Sequence, residues 1–397
     1  AVVLEGPILS EEFGDPPSRL SVPACSPQAL RLSGLLAMGW ARMLTQIAGA
    51  ALSLSFLKFP FGQLLATGIL GYALNFRYVG FGKEIPLSLP ASRAQSLAAT
   101  DRVLILSHNV WCHYLQQWFA PSAERRLKGL LQGIADGGYD FVLIQELFLL
   151  RVGPFAITDN YELFRAGMQE LGYAYSTDPR PSLPFLGQNS GLVIFSKRPF
   201  VASADSHDFS VTGEKVCAKG FVHVQASLGN GQTIHLATTH MDSKTKPKGV
   251  RRAQTGEISR AVIAGQCVSD KPVPMVIAGD FNVCSRGTKD DGSEYKALKA
   301  GLLPLVDIYD TPEIAATRRP NMKPWARGKA KGKEGGAAID HAFVMGLRVE
   351  RADTRDFRCT DKRKTVVSDH LGLEFELALL PLAGSRAGSQ SQEDMEM

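Results

Sequence analysis

The sequence predicts a mixed α/β domain in which two sheets pack face to face, spanning residues 101–380 of the 397-residue chain. Short apolar runs typical of buried strands recur throughout this region, and few stretches have the periodicity of a long helix. Almost every run ends in an acid, an amide or a histidine. Many strands with few long helices favour two packed sheets. Polar residues at strand ends are typical of an active site, because strands hold side chains rigidly and loops leave room for substrate.

The composition is that of a chain that buries a core. Hydrophobic residues make up 45% and charged residues 21%, which excludes a wholly disordered or collagen-like protein. The formal charge of +5 permits an anionic partner without requiring one. Six scattered cysteines without a CxxC pair argue against a zinc ribbon or a thioredoxin-type site. We expect reduced, buried thiols, with one or two disulfides as the open alternative.

The regions outside the predicted domain differ from it in composition. Residues 1–29 are rich in Pro and Ser and are expected to be flexible. Residues 30–80 are predicted to form a hydrophobic, membrane-associated helical region, because 43–57 and 59–76 carry no charge. Each piece is at or below the roughly 20 residues that span a bilayer, so a re-entrant or interfacial hairpin, a single kinked span and helices packed on the domain all stay open. Residues 381–397 are expected to be a disordered tail.

The elements of the domain follow from the apolar runs in chain order. One helix is expected over 123–135, where apolar and basic residues recur at helical spacing. The Gly/Lys-rich stretch 321–336 is expected to be a mobile basic loop. The predicted buried strands are 103–106, 141–144, 191–195, 221–224, 233–238, 274–278, 338–344 and 371–379.

Polar residues with the chemistry of a metal site end these strands. A single polar residue at a strand end is most often a turn former or a cap, so none is decisive alone. Together they form the set that metal-assisted phosphoester hydrolysis requires. The set is Asn109, Glu146, His240, Asp280, Asn282, Asp340, His341, Asp369 and His370.

Each residue type in the set suits one step of that chemistry. Glu146 and an Asn or Asp oxygen are hard ligands for Mg²⁺, which polarises a phosphoryl group. His370 is the candidate base for a water molecule, and Asp340 is its candidate orienting partner. Asn282 and His240 can donate hydrogen bonds to phosphate oxygens. A zinc hydrolase is the poorer interpretation, because the sequence has no Cys-rich or three-His cluster.

The motifs HNVW, QE, TTH, GDFN, IDH and SDH occur in the order found in the endonuclease/exonuclease/phosphatase superfamily. Three blocks, LSHNVWCHYL, NSGLVIFSKRPF and VCAKGFVHV, resemble those of the neutral sphingomyelinases more narrowly, and the last precedes TTHMDS as it does in that family. The resemblance covers roughly 102–379. It implies a deoxyribonuclease I-like fold, a four-layer α/β/β/α sandwich of two mixed sheets.

The resemblance also implies roles at the metal and the attacking water. Glu146 and Asn109 would be Mg²⁺ ligands, with Mn²⁺ as the alternative metal. Asp369 would assist at the metal or at the base. His370 would be the general base, paired with Asp340.

Further residues would bind the phosphate and the substrate. Asp280 and Asn282 would position the phosphate and the water, and His240 would stabilise the phosphate. Lys219 would place a point charge near the phosphate of the head group. Asn189, from the N-x-G block, would contact substrate.

The activity implied is hydrolysis of sphingomyelin to ceramide and phosphocholine at a membrane, with an anionic lipid as a further partner and no nucleic acid. The apolar loops 148–150, 154–155 and 184–186 are expected to face the bilayer. A second expectation places five basic side chains against anionic lipid: Lys244, Lys246, Lys248, Arg251 and Arg252.

Other activities stay open. A phospholipase C acting on other phospholipids fits the same motifs. A nuclease of the same fold would use the basic 318–333 loop against phosphates, although it has no need of the apolar 43–76 stretch. An inositol-phosphate phosphatase lacks its signature motifs here, and the intact polar set disfavours a catalytically inactive scaffold. Oligomeric state is not predicted.

Overall fold

The structure of the chain is a computed structural model. The predictions for 1–29, 321–336 and 381–397, and for 30–80 apart from its last strand, lie outside the described residues. The residues described are 77–78, 99–113, 122–152, 155–156, 160–177, 186–214, 217–229, 231–243, 249–264, 266, 273–286, 292–311, 316–319, 337–361 and 364–380.

Helices and strands alternate irregularly along the described residues. The helices are α1 (Ala123–Gly137), α2 (Asn160–Glu170), α3 (Val250–Ile258), which continues into a π-helical turn (Ser259–Ile263), and α4 (Ser293–Gly301). The strands are β1 (Arg77–Tyr78), β2 (Arg102–Asn109), β3 (Phe141–Gln145), β4 (Leu150–Val152), β5 (Phe155–Ala156), β6 (Tyr175–Ser176), β7 (Leu186–Gln188), β8 (Val193–Ser196), β9 (Asp205–Asp208), β10 (Gly220–Gly229), β11 (Gln232–His240), β12 (Met275–Asp280), β13 (Val306–Asp307), β14 (Asp340–Met345), β15 (Leu347–Arg355) and β16 (Gly372–Leu379).

The described strands form two six-stranded sheets and one small sheet. The first large sheet has the order β15-β16-β2-β3-β8-β6, and the second has the order β13-β14-β12-β11-β10-β9. Each sheet has one parallel pair near its centre, β2 with β3 and β11 with β12, among antiparallel neighbours. The small sheet, β1-β5-β4-β7, joins β1 to the chain that follows β3. Both large sheets are therefore mixed, as predicted.

The main core lies between the two large sheets. Successive side chains of a strand point to opposite faces, so every second residue of the central strands faces inward. Ile105, Phe141 and Phe375 of the first sheet share this core with Val222 and Leu236 of the second. This packing fixes both sheets rigidly, and with them the residues at the strand ends.

The outer faces of the sheets are covered by helices. Helix α1 begins at Ser122, whose hydroxyl accepts a hydrogen bond from the backbone N–H of Arg125, and ends at Gly138 in the left-handed conformation. Its apolar side packs with α2 against the first sheet. The residues from α3 to α4 cover the second sheet in the same way. The described domain therefore has four layers, which confirms the predicted fold.

The structure adds elements that the sequence patterns did not reveal. Strand β15 was not predicted because it carries alternating charges (LRVERADTR) and lies at the edge of its sheet, where exposed polar side chains are tolerated. The described cysteines 112, 217, 284 and 359 are free thiols; 112 and 359 are buried as expected, whereas 217 and 284 are partly exposed. No helix within the described part of the chain is both long enough and apolar enough to cross a bilayer.

Candidate active site

The site lies where the central strands of both sheets end. Strand β11 places His240 directly opposite Asp280 of β12, and β12 places Asp280 opposite Asp340 of β14. In the other sheet β2 and β3 end side by side, at Asn109 and just before Glu146. Because the two sheets pack face to face, these strand ends meet in one place.

Backbone conformation at these ends aims the side chains into the site. Glu146 and Asn282 have left-handed φ values of 59° and 53°, which non-glycine residues adopt at a cost of about 1–3 kcal/mol. Hydrogen bonds hold Asn282 in place: its N–H donates to Asp280 Oδ1 (2.9 Å) and its Nδ2 donates to the Met241 carbonyl (3.0 Å). Gly279 precedes Asp280, and a Cβ there would overlap the Thr239 carbonyl oxygen. Only glycine therefore permits this approach of β12 to β11.

The carboxylates of Glu146, which is partly exposed, and Asp280, which is buried, converge on one point. Asn109 Nδ2 donates to Glu146 Oε1 and to Asp280 Oδ2, each at 3.1 Å, while Asn109 Oδ1 accepts the backbone N–H of Trp111 at 3.0 Å. In this orientation Asn109 offers a donor to the carboxylates. A half-turn of the amide would present its oxygen to the same point, which is the arrangement that the predicted role as a ligand requires.

This donor set fits a hard divalent cation. Oxygen atoms of Glu146 and Asp280 lie together with His240 Nε2 in one group of close ligand atoms. Carboxylate and amide oxygens are the ligands that Mg²⁺ prefers. Asp369 also lines the site, and its Oδ1 is buried without a hydrogen-bond partner, as a carboxylate oxygen is where a cation or substrate completes its contacts. Glu146, Asp280 and Asn109 are therefore the residues that would hold Mg²⁺, with Asp369 beside them.

A buried histidine–carboxylate pair stands next to this acidic cluster. Asp340 Oδ2 lies 2.8 Å from Nδ1 of His370 and accepts a second hydrogen bond from the Thr317 hydroxyl at 2.6 Å. Nε2 of His370 points the other way, 3.8 Å from Asp280 Oδ2 and 3.9 Å from Asp369 Oδ1. The pairing orients the ring so that Nε2 faces the site, as predicted from the sequence.

The surrounding charges determine the protonation of the pair. Burial alone would lower the pKa of His370, but the Asp340, Asp280 and Asp369 carboxylates outweigh it and raise that pKa to about 10. Burial disfavours the charged form of Asp340, yet the His370 imidazole and the Thr317 hydroxyl hold the pKa of this carboxyl below its ordinary value. Burial and the nearby Asp340 charge raise the pKa of Asp280. Positive charge placed beside Glu146 and Asp280 would lower the proton affinity of His370.

Lys219 and His240 form the opposite wall. Lys219 Nζ lies 2.7 Å from Nε2 of His240 and 3.2 Å from Oε2 of Glu214. Burial and the Lys219 ammonium lower the pKa of His240 far below its ordinary value, so this imidazole is neutral. Burial opposes charge on Lys219, but nearby anionic groups, including Glu214 and Glu146, raise its pKa. Lys219 is thus the positive charge on this wall, and His240 orients it.

These groups surround one open pocket of about 300 Å³. Acids, bases and aromatic side chains share its lining, so titratable groups with shifted pKa values face one cleft, as they do in an active site. The pocket is lined by Trp111, His113, Glu146, Phe148, Glu214, Cys217, Lys219, His240, Ser243, Asp280, Asn282, Arg318, Asp369 and His370.

One predicted substrate contact lies elsewhere. Asn189 is fully buried, and its Oδ1 accepts the backbone N–H of Leu149 at 2.8 Å. It therefore positions the loop after β3 and does not line the pocket. The N-x-G pattern could not separate a residue that touches substrate from one that holds the neighbouring loop.

Three of the residues predicted to face the membrane, Phe148, Leu149 and Arg251, are buried instead. Phe148 and Leu149 are buried, because the loop after β3 folds inward against Gly191 and Asn189. Arg251 is also buried, and its guanidinium is paired with Glu294 at 2.6 Å. Arg252 is exposed, while 154, 184–185 and 244–248 lie outside the described residues.

Several pocket residues were not predicted from the sequence, among them Arg318, Trp111 and His113. Arg318 lines the pocket and lies 3.3 Å from Asp369, although the sequence suggested only a basic loop. Trp111 and His113 follow Asn109 at the second and fourth positions. Their closeness in sequence to Asn109 was the available signal, since both follow within four positions the strand end that supplies the site.

Solved structures with the same fold are remote in sequence. Beta toxin from Staphylococcus aureus is 20% identical over 69% of this chain and 99% of that one, with a TM-score of 0.52. A beta toxin mutant from the same organism, with bound magnesium ions, is 17% identical over 71% of this chain and 100% of that one, with a TM-score of 0.50. TDP2 from D. rerio, complexed with a single-strand DNA product, is 14% identical over 70% of this chain and 99% of that one, with a TM-score of 0.51. At these identities the likeness shows the fold.

Comparison with the curated proteins finds no match. The model of the Endonuclease/Exonuclease/phosphatase family matches residues 106–370, which is about two thirds of the chain and includes every strand end of the site. The chain therefore belongs to the endonuclease/exonuclease/phosphatase family and is a metal-dependent phosphodiesterase of that superfamily.

Proposed function

We propose that the chain is a Mg²⁺-dependent sphingomyelin phosphodiesterase that releases ceramide and phosphocholine. The observation that carries this proposal is the position of Lys219. The block VCAKGFVHV is the most specific resemblance to the neutral sphingomyelinases, and its lysine is buried in the wall of the phosphoesterase pocket. A residue from that block thus lies where a head-group phosphate would need a positive charge.

The residues of the site divide the reaction between them. A bound Mg²⁺ would polarise the phosphoryl group and offset its developing negative charge. His370 Nε2 faces the reacting centre and takes the proton of the attacking water, while Asp340 stabilises the imidazolium that results. Lys219 and Asn282 contact phosphate oxygens from the other side. The water oxygen bonds to phosphorus as the bond from phosphorus to the ceramide oxygen breaks. The departing oxygen takes up a proton from water in the open pocket, and His370 returns its proton to solvent.

A membrane location is part of the proposal. Sphingomyelin resides in bilayers, and the uncharged stretches 43–57 and 59–76 are suited to contact one. Deleting 30–76 should weaken flotation of the protein with sphingomyelin vesicles. Unchanged flotation would count against a membrane role for this segment.

A nuclease is the second candidate. Arg318 lines the pocket and could contact a second phosphate of a polynucleotide. TDP2, whose structure holds a single-strand DNA product, has the same fold.

One assay separates the two candidates. Purified protein with Mg²⁺ is offered sphingomyelin vesicles, plasmid DNA and inositol phosphates in parallel reactions. We expect phosphocholine release from the vesicles alone. Nicking of DNA without phosphocholine release would reject the sphingomyelinase proposal.

A further inference from the structure

Two histidines meet on the outer face of the second sheet, outside the pocket. His223 belongs to β10 and His235 to the neighbouring strand β11. Phe221 and Ala237, two residues away on the same strands, pack in the core beneath α3, and side chains two apart on a strand share a face. Both imidazoles therefore lie on this outer face, at the border of the core that α3 covers.

The two rings face each other through one nitrogen each. Nε2 of His223 lies 3.1 Å from Nδ1 of His235, and the ring planes differ by 16°. Two nitrogen ligands bound 2.0–2.1 Å from a tetrahedral ion are about 3.3 Å apart. A small rotation of the rings would therefore let both nitrogens bind one ion, and the paired strands hold them at this separation.

The surroundings keep both imidazoles uncharged. Burial and the neighbouring His235 lower the pKa of His223 to about 4, and burial also lowers the pKa of His235. A neutral imidazole has one nitrogen with a free lone pair, which is the form that binds a metal. When the ring protons lie on the two outer nitrogens, both facing nitrogens present lone pairs to the ion, so that binding requires no net release of protons.

A carboxylate stands beside the outer nitrogen of His223. Asp205 of β9 pairs directly with His223, and its Oδ2 lies 3.9 Å from Nδ1 of that ring. Its side chain is 80% exposed and is therefore free to move the remaining distance. A histidine that binds a metal almost always donates its other ring N–H to a carboxylate, a carbonyl or water. Asp205 can fill this role, which fixes the proton on Nδ1 and leaves Nε2 for the ion.

We propose that His223 and His235 bind one divalent transition-metal ion, such as Zn²⁺ or Cu²⁺, with water completing its coordination and Asp205 orienting His223. Imidazole nitrogens suit these ions, whereas Mg²⁺ takes oxygen ligands, so this site and the acidic cluster select different metals. The two sites are also apart in space. His223 lies three residues along β10 from Gly220, which pairs with His240 of the pocket, a separation of about 10 Å along the strand. The second site is therefore independent of the substrate of the enzyme.

Zinc binding tests the site directly. ZnCl₂ is titrated by isothermal calorimetry at pH 7 into the full chain, with MgCl₂ in excess to compete at the acidic cluster. We expect the wild type to bind one more Zn²⁺ than a double variant, His223→Asn with His235→Gln. Each single substitution should weaken this binding at least about tenfold, because one of two protein ligands is lost.

His207→Gln is the matched control. His207 lies on the same face of the sheet, but its Nε2 is paired with Glu257 at 2.7 Å, and its ring stacks on Phe221. Its loss should leave the number of bound Zn²⁺ ions and their affinity unchanged. Since an ion that binds only the folded state stabilises it, ZnCl₂ should also raise the Tm of the wild type and of His207→Gln more than that of the double variant.

Two outcomes overturn the site: equal numbers of bound Zn²⁺ in the wild type and the double variant, or an equal loss of binding in His207→Gln. If the double variant fails to fold, crystals of the wild type soaked in ZnCl₂ provide the test through anomalous scattering. A zinc peak between the rings of His223 and His235 supports the site. Zinc peaks confined to the acidic cluster of the pocket overturn it.

Discussion

Replacing Asp340 with Asn removes one charge and leaves the shape of the site almost unchanged. Asp340 contacts Nδ1 of His370 through both carboxylate oxygens, at 2.8 and 3.0 Å, and both side chains are buried. The carboxylate stabilises an imidazolium and fixes Nδ1 as a hydrogen-bond donor, so that Nε2 faces the reacting water. Asparagine can present its own N–H to Nδ1, which favours the wrong tautomer.

The geometry sets the size of the effect. Two unit charges 2.8 Å apart attract by roughly 6 kcal/mol at an effective dielectric constant of about 20. Since about 1.4 kcal/mol corresponds to a factor of ten, the proton affinity of His370 should fall about 10⁴-fold. Its pKa, raised to about 10 in the present field, returns to its ordinary range. General base catalysis contributes about 10²–10⁴ in rate, so we expect kcat to fall by that factor while KM changes little.

The assay compares steady-state hydrolysis by wild type, Asp340→Asn and Asp310→Asn. Asp310 is the matched control, because it forms an exposed ion pair with Lys299 at 2.8 Å, and loss of such a pair should leave kcat unchanged. NMR titration of the His370 imidazole in EDTA provides the second readout. An Asp340→Asn variant with kcat within threefold of wild type, or with an unchanged His370 titration, would show that this carboxylate does not control the histidine.

Three further predictions concern the metal, pH and the backbone. Glu146→Gln should weaken Mg²⁺ binding at least tenfold, as measured by calorimetry, because it removes a carboxylate ligand. Glu162→Gln on the surface of α2 is the control and should leave the affinity for Mg²⁺ unchanged. Equal Mg²⁺ affinities of the two variants would exclude Glu146 as a ligand. In EDTA the raised pKa of His370 stabilises the folded state fully below about pH 6.5, and this stabilisation is lost as the pH rises through about 10. The free energy of unfolding of the wild type should therefore fall over this range by roughly 3–5 kcal/mol. The free energy of unfolding of His370→Ala should not show this fall. Gly191→Ala should lower the free energy of unfolding, measured in urea, by about 1–3 kcal/mol more than Gly138→Ala does. The two glycines have similar φ values, 66° and 71°, but of the two only Gly191 has neighbours that an added Cβ would meet. Equal losses of stability in the two variants would contradict this.

The position of the site was predictable because the sequence shows where the buried strands end. Buried strands appear as short apolar runs, and the first polar residue after each run marks the end. Asp280 and Asp340 end up opposite each other because β12 and β14 are adjacent and in register. The sequence does not specify this register; the resemblance to the superfamily supplied instead the set of residues expected to meet in one site. The apolar runs of the strands therefore predicted the fold, and the order of the motifs predicted which residues form the site.

The errors share one physical cause, which is that a sequence does not show which way a loop folds. Phe148 was expected to face lipid, yet its loop turns inward and buries it against Gly191. The charge of Arg251 suggested contact with anionic lipid, but its guanidinium is buried and paired with the carboxylate of Glu294. Arg318 was placed in a basic loop, although it faces the site beside Asp369.

Backbone strain gives an independent indication that these loops are built for chemistry. Among the described residues, the left-handed region holds four that are not glycine, and three of them, Trp111, Glu146 and Asn282, line the pocket. Each follows a central strand by one or two residues, where the chain must turn sharply to bring its side chain over the end of the sheet. Glycine would adopt this conformation at lower cost but would leave no ligand, no donor and no aromatic face. The strain is retained because the side chain is needed at that position, so glycine at Glu146 or Asn282 should relax the backbone and still abolish activity.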